Sequence, residues 1–130
     1  MRVLLVDDHT IVRQALYKLL DAPDIEFAGE ASNGREAITF TRHLQPDMVL
    51  MDVAMPIMNG IEATRAIHAE WPQVCIIGLS IHAEDAQAEA MRDAGARAYL
   101  TKDVPIEVLL AAMRVCSARM REELPPAAAA

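Results

Sequence analysis

At 130 residues the chain is long enough for one domain with a full core, and 53% apolar against 4% aromatic residues means that Val, Ile, Leu, Met and Ala must fill it. A net charge of -7 argues against direct binding of nucleic acid or anionic membrane, which needs a basic excess. No apolar run is long enough to span a bilayer, and the short N-terminal one meets acids too soon for a secretion signal.

Arg2–Val6 reads as the first strand, apolar throughout and so buried on both faces, and it runs into Asp7 and Asp8. Thr10 to Leu20 has helical spacing, with Ile11, Ala15, Leu16, Leu19 and Leu20 on the apolar face. After the turn Asp21–Asp24, the segment Ile25–Glu30 is a less apolar strand, expected at a sheet edge. A second helix follows Asn33, a candidate N-cap with Glu36 three positions on; Ala37, Phe40, Thr41 and Leu44 face inward and Gln45-Pro46 stops it. Met48–Met51 is the third strand, again ending in an acid, Asp52. A loop with Pro56 and Asn59-Gly60 leads to a helix with Ile61, Thr64 and Ile67 inward, closed near Trp71-Pro72. Val74–Leu79 is the fourth strand and ends at Ser80; Ala83 to Ala94 is an alanine-rich helix with a thin apolar face, capped at Gly95. The fifth strand, within "RAYLTK", ends at Lys102, and Val104 to Met120 is the last helix, with Pro105 in its first turn. Residues 1–120 therefore form one domain and 121–130 a tail or linker stub. Cys75 and Cys116 lie in apolar surroundings without metal-like spacing and are expected to be buried free thiols, as suits a reducing cytoplasm.

Strand and helix alternate five times, which predicts an α/β fold: a flavodoxin-like, doubly wound (βα)5 domain with a parallel five-stranded sheet in the order 2-1-3-4-5. Ligands bind such sheets at the carboxyl ends of the strands. Asp7, Asp8, Asp52, Ser80 and Lys102 all fall there, on the four neighbouring strands 1, 3, 4 and 5. Three carboxylates in one pocket repel, and at least one pKa should rise unless a counter-charge is present. A hard divalent cation resolves the repulsion: Mg²⁺, with Mn²⁺ as a substitute, takes carboxylates, water and phosphate oxygens. Lys102 could reach a bound tetrahedral anion and Ser80 could donate to another of its oxygens. The set describes phosphoryl transfer to a carboxylate, with Asp52 at the middle of the edge as nucleophile.

With "VLLVDDH", "DMVLMDVAMPIMNGIEA", "GLS" and "AYLTKD" in this order, residues 1–120 resemble the receiver domain of bacterial two-component response regulators. The resemblance implies that Asp52 accepts a phosphoryl group from the phosphohistidine of a sensor histidine kinase. It implies Mg²⁺ on Asp7, Asp8, Asp52 and the main-chain carbonyl of Ala54, phosphoryl contacts from Ser80 and Lys102, and a conformational switch through Ser80 and Tyr99. The domain would catalyse its own phosphorylation and slow dephosphorylation without being a conventional turnover enzyme. A homodimer would form through the fourth helix, fifth strand and fifth helix, or through the first and fifth helices. "VDDHTIVRQAL" and "LSIH" are similar to the subgroup that precedes LuxR-type helix-turn-helix output, so a covalently linked output or kinase domain and a cytoplasmic role in transcription control are implied. Departures are Ile81, bulkier than usual and expected to narrow access to Asp52; Pro105, slightly late; and Ala54, which with His82 occupies positions that tune dephosphorylation.

Competing readings remain. Asp8 could cap the first helix, Ser80 could be an ordinary strand-end hydroxyl, and Tyr99 could be half-buried packing. His9 and His82 could join the acids in a transition-metal site, while His43 and His68 are expected in solvent. A haloacid-dehalogenase-type phosphatase would want a second Asp two positions after the nucleophile, but His9 follows Asp7 and Ala54 follows Asp52 at that spacing. A flavodoxin-like ligand binder would want a Gly/Ser/Thr-rich first loop, which is absent. A degenerate receiver acting as a phosphorylation-independent interaction domain remains the alternative function, kept open by Ile81.

Overall fold

The computed structural model describes residues 1–81 and 85–123. Strands β1 (Arg2–Val6), β2 (Glu26–Ala31), β3 (Met48–Asp52), β4 (Cys75–Ser80) and β5 (Ala98–Thr101) alternate with helices α1 (Thr10–Leu19), α2 (Gly34–Leu44), α3 (Gly60–Glu70), α4 (Asp85–Ala94) and α5 (Ile106–Glu123). The strands form one parallel sheet in the expected order β2-β1-β3-β4-β5, with β2 at an edge.

Side chains alternate across a strand, so a wholly apolar strand feeds two cores. Leu4, Val6, Val49, Met51 and Ile76 point to one face, where they meet Ala37, Ala63, Ile67 and Met91 of α2, α3 and α4. Val3, Leu5, Met48, Leu50, Cys75, Ile77 and Leu79 point to the other, against Leu20 and against Leu109, Met113, Cys116 and Met120 of α5. Local chemistry sets the helix ends. Asn33 Oδ1 accepts from Glu36 N at 2.9 Å, and Glu36 Oε1 accepts in turn from Ser32 N at 2.8 Å, a reciprocal cap of α2. Gln45 ends that helix in the left-handed region at φ 50°.

Several details differ from the sequence expectation. On α1, Ile11 and Leu19 are 80% and 56% exposed, and Ala15 is also exposed; Leu16, Tyr17 and Leu20 make the contact with the sheet. Helix α5 shares that sheet face and packs over β4 and β5. Helix α5 starts at Ile106 rather than Val104, because the Pro105 carbonyl accepts from Val108 N and Leu109 N, and it continues to Glu123 past the boundary expected at 120. His68 is partly buried rather than solvated: its ring packs on Gly95, where φ is 122° and a Cβ would lie 2.3 Å from the imidazole. Cys75 and Cys116 are joined by a disulfide between β4 and α5, with Cα atoms 6.4 Å apart, instead of being free thiols. A separation of 41 positions carries no local signal of that pairing. His82, Ala83 and Glu84, with the expected start of α4, and the tail from residue 124 lie outside the described residues.

Candidate active site at the carboxyl edge of the sheet

Parallel register brings the acids together. Val6 pairs with Met51, so Asp7 leaves β1 beside Asp52, the last residue of β3. Asp52 pairs with Leu79, Ser80 with Thr101, and Lys102 N donates to the Ser80 carbonyl at 2.7 Å. Asp7, Asp52 and Ser80 are 2%, 5% and 7% exposed, buried polar groups in a largely apolar molecule. Lys102 Nζ lies 2.6 Å from Asp7 Oδ2 and 3.2 Å from Asp52 Oδ1. One oxygen each of Asp7, Asp8 and Asp52, together with a ring nitrogen of His9, lie within 4.8 Å of one another.

The electrostatics follow from this crowding. Burial and the Asp7 charge push the Asp52 carboxyl up to about 6, against the attraction of Lys102; a hydrogen bond with Asp8 adds to the rise. Burial pulls the Lys102 ammonium down, but hydrogen bonds and charge from Asp7 and Asp52 outweigh it and hold the ammonium above its ordinary value. One cation thus faces two buried carboxylates and a third, partly exposed one. Asp8 Oδ1 is buried and makes no well-formed hydrogen bond, although His9 Nδ1 lies 3.0 Å from it. Three clustered hard oxygens, one of them without a donor, fit a small divalent cation better than an all-protein hydrogen-bond network.

The backbone around Asp52 is held by a residue type and not by a side chain. A Cβ on Gly60 would sit 2.0 Å from the Asp52 carbonyl oxygen, and Gly60 N donates to the Val53 carbonyl at 2.8 Å. Only glycine lets α3 begin so close to Asp52. Asn59, expected merely as turn punctuation, is the N-cap of α3 and accepts from Glu62 N at 2.9 Å.

Asp7, Asp8, Asp52, Ser80 and Lys102 all reach the same edge, as expected. The capping role for Asp8 does not hold: the N-cap of α1 is His9, which makes no side-chain cap, and Asp7 Oδ1 accepts from His9 N at 2.9 Å. Ala54 lies exposed two positions beyond Asp52, and Ile81 is 66% exposed just after Ser80. Tyr99 is half-buried on the α2–α3–α4 side; its hydroxyl donates to Gln87 Oε1 of α4 at 3.3 Å, and its ring closes on Gly78. That packing and a role in switching are compatible, since Tyr99 bridges β5 and α4. The His9 ring is 59% exposed and 3.2 Å from Asp7 Oδ1, so it belongs to the acid cluster; its suggested partner His82 lies outside the described residues. Sequence reasoning missed Arg13. Its guanidinium donates to the Asp7 carbonyl and its Nε lies 3.5 Å from Glu30 Oε2, with the side chain 11% exposed. Arg13 falls in the first turn of the helix after the acids, a spacing that could have drawn notice.

Residues 3–114 match the family model described as the response regulator receiver domain. The chain belongs to that family. It is 42% identical over 118 residues to the transcriptional regulatory protein LiaR of Bacillus subtilis, covering 90% of this chain and 56% of that protein. Over 122 residues it is 36% identical to the response regulator GacA of Pseudomonas viridiflava, covering 93% and 57%. The chain thus spans a little over half the length of these relatives. Among solved structures, a LuxR-family two-component response regulator from an Aurantimonas species superposes with a TM-score of 0.86 at 35% identity, covering 91% of this chain and 85% of that one. The receiver domain of the response regulator NarL of Mycobacterium tuberculosis superposes at 0.84 with 28% identity, covering 90% and 95%. The chain is a response regulator receiver domain of the kind used in two-component signalling, with bacterial transcription regulators among its relatives. No described helix is long and apolar enough to cross a membrane.

Proposed function

We propose that Asp52 is the phosphoacceptor. A carboxylate oxygen of Asp52 attacks the phosphorus of a phosphohistidine on a sensor histidine kinase, the P–N bond breaks, and the imidazole leaves. The observation that carries this reading is the setting of Asp52: 5% exposed, at the middle of the edge, with Lys102 Nζ at 3.2 Å and two further carboxylates beside it. Asp7, Asp8, Asp52 and the Ala54 carbonyl are the residues to hold Mg²⁺ (or Mn²⁺), which would offset the charge of the acids and of the incoming phosphoryl oxygens. Lys102 then exchanges part of its contact with Asp7 for a phosphoryl oxygen, and Ser80 donates to another. Movement of Ser80 with Tyr99 carries the change to α4, β5 and α5, shifting an existing equilibrium between inactive and active forms.

In this reading the receiver runs through the end of α5 at Glu123 and leads by a linker to an output or kinase domain in a longer cytoplasmic protein; the length of the relatives supports it. A homodimer through α4, β5 and α5, or through α1 and α5, completes the set of partners. The test is intact mass after incubation with Mg²⁺ and acetyl phosphate, beside Asp52→Ala. One added phosphoryl group is expected, absent from the variant and from samples with chelator. Labelling that persists in Asp52→Ala would exclude Asp52. No labelling by either acetyl phosphate or a phosphorylated kinase would leave an interaction domain that works without phosphorylation.

A further inference from the structure

The Cys75–Cys116 bridge stands apart from the acidic edge. Its Cα separation, 6.4 Å, falls within the range that a disulfide spans. Its two ends differ in access. Cys75 is fully buried under the sheet. Cys116 also lines a groove of about 280 Å³ along β5 and α5, together with Arg97, Ala98, Ala111, Ala112, Val115 and Arg119. Among the described residues, Arg97 and Arg119 are the charged ones that line it. Cys116, 6% exposed, is the end of the bridge that lines this groove, whereas Cys75 is fully buried.

We propose that Cys116 is a thiol–disulfide exchange site for a small anionic thiol of the cysteinyl-peptide class, entering by the β5–α5 groove. In the opening direction the small thiolate attacks Cys116 Sγ, the bridge breaks, and its electron pair leaves on Cys75 Sγ, which takes up a proton. A second small thiolate attacks the small-molecule sulfur of the mixed disulfide; Cys116 leaves as a thiolate and is protonated, and a small-molecule disulfide departs. The protein gains two electrons and two protons, and two small thiols lose them. Closing reverses both steps, with the small disulfide as oxidant. The guanidinium of Arg119 on the groove favours an anionic visitor. The loop between the two cysteines contains Ser80, α4, Tyr99 and Lys102, so the bridge restrains the segment that the phosphoacceptor reading requires to move. Leu109, Met113 and Met120 still hold α5 when the bridge is open, and the reduced protein therefore stays folded.

The test uses protein equilibrated with oxidised glutathione and then exposed, folded, to reduced glutathione. Exchange is quenched in acid, thiols are alkylated in denaturant, and intact mass is read. No alkylated cysteine is expected at the start and two after exposure. Ala111→Trp, which fills the groove from an exposed position, should slow opening at least about tenfold, and Arg119→Glu should slow it several-fold for glutathione but not for 2-mercaptoethanol. Cys75→Ala should capture glutathione on Cys116, whereas Cys116→Ser should leave Cys75 unmodified. Two alkylated cysteines after treatment with oxidised glutathione would overturn the proposal. So would opening that proceeds at the rate of global unfolding, seen by circular dichroism, and is indifferent to Ala111→Trp. None of these readouts depends on Asp52.

Discussion

At the residue scale the site is expensive to keep, and Asp52 shows why. Its folded pKa, about 6, lies above the ordinary 3.8, so its ionised form is disfavoured in the folded protein. A carboxyl raised in this way contributes stability below its unfolded value and loses it as pH rises through the folded one. Metal-free protein should therefore lose stability between about pH 4 and pH 6 on this account. Asp52→Asn removes the ionisation, and in chelator at pH 7.5 it should raise stability by about 1–3 kcal/mol, with the gain vanishing near pH 4. Denaturant titrations at the two pH values check this; a variant less stable at pH 7.5 would mean that Lys102 more than offsets the crowding. The three acids, Ser80 and Lys102 were legible because each lies within two positions of the carboxyl end of an apolar strand segment. His9 was legible as a possible companion of the acids, and Arg13 was not, because its contact with the Asp7 carbonyl comes from the first turn of α1 and not from any strand end.

At the scale of elements, pattern and packing agree unevenly. The α2 boundary was readable because its cap is local: Ser32, Asn33 and Glu36 satisfy one another within five positions. Hydrogen bonds from Ser32 hold the Glu36 carboxyl below its usual value. A lowered acid contributes stability above its unfolded pKa and loses it as pH falls through the folded one. Glu36→Gln should thus cost less than about 1 kcal/mol at pH 7, discounted for solvent screening, and progressively less as the pH falls below the ordinary carboxylate range; thermal melts across that range test it. The burial of α1 was not readable. Its pattern allows Ile11 and Leu19 to face inward, but Leu16, Tyr17 and Leu20 make the contact instead and leave those two to solvent. Helix α5, in turn, reaches Glu123 where its apolar spacing ended at Met120, since helix propagation does not require a buried side chain at every turn.

At the scale of the whole molecule, the bridge from β4 to α5 closes a loop that covers the second half of the site. Loop-closure entropy for such a span is worth about 4 kcal/mol in the simplest account, and strain or residual structure usually lowers it. Cys116→Ser should lower the unfolding free energy of oxidised protein by about 2–4 kcal/mol and that of reduced protein by less than about 1 kcal/mol. Guanidinium unfolding with and without reductant separates the two. Equal losses under both conditions would assign the cost to packing in the α5 core.

The sequence by itself determined the alternation of five strands and five helices, the parallel sheet, and the polar residues at its carboxyl edge. Each of these depends on periodicity or on the position of a residue along its own strand, and such information is local. Tertiary structure alone decided which carboxylate shares Lys102, how far burial lifts Asp52, which face of α1 is left to solvent, and that Cys75 meets Cys116. Those outcomes depend on distances between segments far apart in the chain, and only the closed packing of the sheet between its two helix layers sets them.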